Sequence, residues 1–139
     1  MNDWRPPHAY VPGQTPRHDD ALFEPFKQVA EPLEQSLAWQ MGLRFLDEGF
    51  YWEAHELLEA VWMAAPANSG QKCLVQGVIQ LANARLKARM GKANAVARLL
   101  KQARTLMDEG FARSGAPLME LGEKDADRMY EESLVICAI

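Results

Sequence analysis

His55 and Glu59 stand four residues apart in GFYWEAHELLEAVW, residues 49–62, with Glu53 and Glu56 close by and Tyr51, Trp52 and Trp62 among them. On a helix, residues four apart lie one turn above the other, so His55 and Glu59 reach a common point. An imidazole and a carboxylate so placed can pair on the helix surface, offer a titratable group and acceptors to a ligand, or supply two ligands to zinc, iron or manganese. HELLE keeps only the first two residues of the metalloprotease pattern HExxH, because Glu59 occupies the second histidine position. A metal therefore needs a third ligand from elsewhere. The other histidines, His8 and His18, lie in a proline-rich arm that would have to fold over the helices to deliver one.

A helical wheel, at about 100° per residue, gathers Ala54, Leu57, Leu58, Val61 and Ala65 on a core face. His55 and Glu59 fall on its flank, with Tyr51 and Trp62 between them and the core. Glu56 points further round, and Glu53 further still. The next helix has a matching polar stripe: Gln76, Gln80, Asn83 and Lys87 run along one flank of an apolar face made by Leu74, Val75, Val78, Ile79, Ala82 and Leu86. Helices joined by a short loop are antiparallel neighbours as a rule. The expectation is a polar pocket between helices 2 and 3. His55, Glu56 and Glu59 supply acceptors, Gln76 and Gln80 orient the ligand, and Tyr51 and Trp62 form its walls.

The elements that position these residues read as all-α. Pro6, Pro7, Pro12 and Pro16 make residues 1–18 an extended arm, with one helical domain over 19–139. A short helical piece is expected around residues 20–30. The first long helix starts with Pro32 in its first turn and stops at Gly49, and the second ends at Pro66. The third covers about Gln71 to Met90, the fourth about Lys92 to Glu109 with Gly110 as its stop, and the fifth about Glu123 to Cys137. No segment has the period of a strand. About five helices then form a compact bundle, two antiparallel hairpins plus a C-terminal helix, and the lack of a third repeat argues against a solenoid.

Charge is segregated along the chain. From Ala60 to Met107 there is no Asp or Glu, yet Lys72, Arg85, Lys87, Arg89, Lys92, Arg98, Lys101 and Arg104 lie there. All 19 acidic residues sit outside that stretch. Basic middle and acidic flanks can pair within the chain or across a homodimer. With a pI near 5.4 and no aromatics interleaved among the basic residues, a nucleic-acid partner is not expected. Arg85 and Arg89 fall inside the apolar arc of helix 3, so they must snorkel or find acidic partners. Cys73 and Cys137 have no metal or redox spacing, no span crosses a bilayer, and no secretory signal is apparent, so a cytoplasmic setting is expected. Phosphate-binding glycine loops and a GxSxG elbow are absent from the sequence.

FLDEGFYWEAHELLEAVWMAAP followed by LVQGVIQLANARLKARMGKANAVARLL resembles the family called domain of unknown function 309 (DUF309), and the arm PPHAYVPGQTPRHDD is similar to the start of bacterial members. The resemblance implies a compact cytosolic helical bundle and no assigned function. His55, Glu56, Glu59, Gln76 and Gln80 are the polar positions that match. Many members carry a histidine near the end of the third helix where this chain has Lys87, and a protonated ammonium is no metal ligand. The sequence thus points to a non-catalytic binding or interaction protein, with no cofactor expected and an unidentified small ligand or protein as partner. The alternatives are a hydrolase with a divalent metal on His55 and Glu59 and Glu56 as general base, and a purely structural, self-associating subunit.

Overall fold

The computed structural model describes residues 2–138, and among these the chain forms α1 (Leu37–Glu48), α2 (Tyr51–Ala64), α3 (Gly70–Arg89), α4 (Ala93–Ser114) and α5 (Glu123–Ile136), with no strand. Each start and stop has a local cause. Gly49, at φ 90°, turns the chain out of α1, and the Phe50 N–H bonds back to the Phe45 carbonyl. Ser69 caps α3 by accepting the Lys72 N–H at 3.1 Å. At the start of α5 the Asp125 carboxylate accepts the Gly122 N–H at 2.8 Å.

Three expected boundaries are corrected. The piece around residues 20–30 is only a 3₁₀ turn, Glu24–Phe26. α1 begins at Leu37 because Pro32 is extended, at ψ 147°, and Leu33–Gln35 form a separate 3₁₀ turn. The Ser36 hydroxyl bonds both the N–H and the C=O of Ala30. α4 does not stop at Gly110. That glycine is buried inside the helix, where an added Cβ would lie 2.9 Å from the Gly70 carbonyl oxygen, and the turn-off comes at Gly115. The absence of a side chain serves a helix contact there, not a helix end.

α1 to α4 run up and down in sequence. Gly42 of α1 meets Leu58 of α2, Trp62 of α2 meets Lys72 of α3, and Tyr51 meets Arg89 at the far end of α3. α3 and α4 approach most closely, with Gly70 against Gly110 and Gly77 against Met107 and Ala103. Leu57, Leu58, Val61, Leu74, Val75, Val78, Leu81 and Met107 are fully buried between the layers. Each side chain of that size contributes about 1.5–3 kcal/mol when removed from water. α5 packs across α3 and α4. Arg85 ties it in, donating to the Ser133 hydroxyl at 2.9 Å and to the carbonyls of Met129 and Leu46 at 3.3 Å each.

Arg85 therefore neither snorkels nor meets a carboxylate: it is 2% exposed and bound to neutral oxygens. Arg89 lies over the Tyr51 ring at 4.1 Å and donates to the Gly49 carbonyl. Arg104 does join the basic stretch to an acidic flank, reaching Asp127 of α5 at 2.9 Å and Asp108 at 2.6 Å. No helix of the described residues is long and apolar enough to cross a membrane.

Candidate functional site

The opening motif folds as α2, and its charged residues part company. His55 Nε2 is 2.9 Å from Glu59 Oε2, and its Nδ1 is 3.7 Å from Glu56 Oε1. Lys27, from the segment before α1, reaches Glu56 at 3.2 Å and Glu24 at 3.2 Å. Burial alone would lower the Lys27 ammonium, but the Glu24 and Glu56 carboxylates outweigh it and hold it above its ordinary value. His55, Glu56 and Glu59 are thus engaged with one another and with Lys27 in a half-exposed ion-pair chain. Among the described residues, no three His, Cys, Asp or Glu side chains converge as a metal site would require.

Glu53 is placed differently from its wheel position. It is fully buried, because the arm covers it. Its Oε2 accepts the Tyr10 N–H at 2.7 Å and the His18 Nε2–H at 2.7 Å, while Oε1 is buried without a partner. His8 lies with its ring centroid 4.5 Å from that of His18 and donates Nε2–H to the Pro16 carbonyl. Trp52 stands edge-on to Tyr10 at 5.1 Å and beneath Arg17 at 5.6 Å. An arm histidine does reach α2, but it meets Glu53 and not the His55–Glu59 pair.

The remaining expected site residues spread over two neighbouring depressions and the core. Tyr51 is buried under Arg85 and Arg89. Trp62 lies under the Lys72 ammonium, 4.0 Å from its ring, and borders a shallow cavity of about 330 Å³ with Cys73, Gln76 and Arg113. Gln76 and Gln80 line an open groove of about 520 Å³ whose other wall is Lys101, Gln102, Thr105 and Leu106 of α4. Gln80 is held at both ends: its carbonyl accepts from Asn83 at 3.0 Å, and its amide donates to Gln102 at 3.4 Å. No hydrogen bond among the described residues joins Gln76 or Gln80 to His55, Glu56 or Glu59. The amide stripe of α3 opens toward α4.

Residues 39–99 match the family model described as domain of unknown function, DUF309. That stretch, from Trp39 to Leu99, is similar to the DUF309 family. No curated protein and no solved structure matches it. The DUF309 match runs from α1 into α4, so it holds all seven expected pocket residues and Asn83. It leaves out the arm, α5, and the α4 half of the groove. The family carries no assigned function, and the geometry must supply the reading.

Lys101, Gln102 and Thr105 did not stand out in the sequence because their spacing on α4 is that of any solvated helix face. Only the pairing of Gln80 with Gln102 marks them. His18 and Glu53 had no local signal, since the arm and α2 meet across 35 residues of chain.

Proposed function

We propose that this protein is a non-catalytic binding protein. Its ligand is a small polar molecule bearing carboxylate and amide groups, lying in the groove between α3 and α4. The observation that supports this reading is the lining: three carboxamides, Gln76, Gln80 and Gln102, with the Thr105 hydroxyl and the Lys101 ammonium, and no carboxylate, imidazole or thiol. Carboxamides donate and accept in one plane, so a row of them matches an amide or carboxylate edge, and Lys101 supplies the opposite charge. Leu106 adds an apolar contact, in keeping with small-ligand sites that combine few polar groups with some hydrophobic wall. General acid–base chemistry needs a group that titrates near neutrality at the ligand, and this lining offers none. A cytosolic setting belongs to the same reading.

The test is thermal unfolding against a panel of small amides, amino acids and dicarboxylates. At a free concentration about a hundred times Kd a true ligand raises stability by about 2.7 kcal/mol, which moves Tm measurably. Gln80→Leu should abolish the shift while leaving the unliganded Tm close to the parent. A panel in which nothing shifts Tm, or a shift that survives Gln80→Leu, removes the groove as the site.

A further inference from the structure

The last two turns of α5 carry a second feature, apart from the groove. Leu134, Val135 and Ile136 are exposed, Val135 to 77% of its surface. Consecutive large aliphatic side chains in water are unusual on a helix whose other outer positions are charged, and exposed apolar surface of this kind marks contact sites. Val135 and Ile136 follow Glu131 and Glu132 by one turn, so the four share a face. That face borders a notch of about 390 Å³, closed on its other sides by Asp47 of α1 and by Arg85.

The charges around this notch are unbalanced. Arg85 is the cation nearest its floor, but its guanidinium is spent on Ser133, Leu46 and Met129. Among the described residues, Asp47 and Glu131 have no ion-pair partner, and Glu132 has only Arg128, at 3.8 Å between largely exposed side chains. Burial and the Glu132 carboxylate push the Asp47 carboxyl above its usual range. An incoming cation would relieve that repulsion, whereas an anion would add to it.

We propose that this acid-rimmed apolar notch is a docking surface for a partner protein presenting a basic amphipathic helix. A lysine or arginine of the partner sits between Asp47 and Glu131–Glu132, and its leucine-like side chains cover Val135 and Ile136. Charge complementarity selects this occupant over a symmetric second copy, because an α5-to-α5 contact would set the Glu131–Glu132 rim against another acidic rim. The recognition mode is a helix laid on an apolar face with charges at its edge.

The experiment uses the full chain and a fluorescein-labelled helical peptide of leucine and lysine in amphipathic spacing. The controls are the same peptide with glutamate for lysine, and a scrambled leucine–lysine peptide. The parent protein should bind the amphipathic basic peptide saturably and neither control comparably. Val135→Asp should weaken binding on the order of tenfold or more by removing apolar contact. Glu131→Lys should weaken it at low salt, with the difference shrinking at high salt. Both positions are exposed, so the helical circular dichroism of the variants should match the parent, and Glu132→Lys stands in if one does not. Equal binding by parent and Val135→Asp overturns the proposal, as does equal binding of amphipathic and scrambled peptides. So does a parent mass in solution above the monomer that falls in Val135→Asp, since the surface would then be covered by a second copy.

Discussion

His18 Nε2 lies 2.7 Å from Glu53 Oε2, with 2% and 0% of the two side chains exposed. This contact closes the arm onto α2 from 35 residues away in sequence, and the same carboxylate oxygen takes the Tyr10 N–H. Trp4 adds to the arm's seating by stacking on Phe26 at 4.4 Å. The arm is part of the packed body, with a polar bond at its centre and aromatic contacts around it.

Removing the imidazole leaves a buried carboxylate with one backbone donor. His18→Ala is expected to cost about 1–3 kcal/mol, the usual cost of leaving a buried acceptor without its donor. Glu53→Gln, which keeps an acceptor, should cost about 1–3 kcal/mol. Urea unfolding gives the loss, and limited proteolysis shows whether cleavage moves into residues 8–18. A His18→Ala midpoint indistinguishable from the parent would mean that the aromatic contacts alone hold the arm.

Alanine favours helix over glycine by about 1 kcal/mol, yet Gly77→Ala is expected to destabilise. Its Cβ would stand 2.6 Å from Met107 Cγ and 3.1 Å from the Ala103 carbonyl oxygen. Displacing Met107 and α4 should cost about 1–3 kcal/mol. The check is the denaturation midpoint of Gly77→Ala, and a rise in stability would show that α3 and α4 are not this close.

The two thiols should differ in reactivity. Cys137 is 3% exposed and burial pushes its thiol up, while Cys73 borders the open cavity beside Trp62. Thiolate is the reacting form, so an aromatic disulfide reagent should titrate one thiol quickly in the native protein and the second only after unfolding. Rapid reaction of both would contradict the packing of α5.

Asp47 has a folded-state pKa above its unfolded value, through burial first and Glu132 second. The folded protein thus holds that proton more tightly than the unfolded chain. Asp47 favours folding in acid, and the benefit is lost as pH rises through the carboxylate range, leaving a small deficit at neutral pH. The carboxyl is only partly buried, so solvent screening keeps the deficit below about 1 kcal/mol. Asp47→Asn should be slightly more stable than the parent at neutral pH and not in acid. Unfolding curves at both pH values decide it.

What the sequence could reveal follows from the range of each interaction. Gly49 and Pro66 act within a turn of themselves, so the end of α1 and both ends of α2 were readable. Gly110 was misread because a glycine at a helix contact looks in sequence like one at a helix end. The wheel placed Gln76 and Gln80 on one flank of α3, correctly as a stripe, but periodicity does not say which neighbouring helix faces that flank. Glu53 looked solvent-facing because the wheel knows α2 alone, and its cover comes from the arm. Arg85 lay in the apolar arc as read, but its partners are carbonyl and hydroxyl oxygens on α1 and α5, which no charge pattern encodes.

The most direct test of the central claim is a ¹H–¹⁵N titration of the side-chain amides of Gln76, Gln80 and Gln102. Its ligand is whichever amide or carboxylate compound raises Tm most. A ligand in the α3–α4 groove should move those three signals together and saturably, leaving the Asn68 and Gln14 amides in place. Saturable movement elsewhere, or none at the three glutamines, would contradict the assignment of the groove as the binding site.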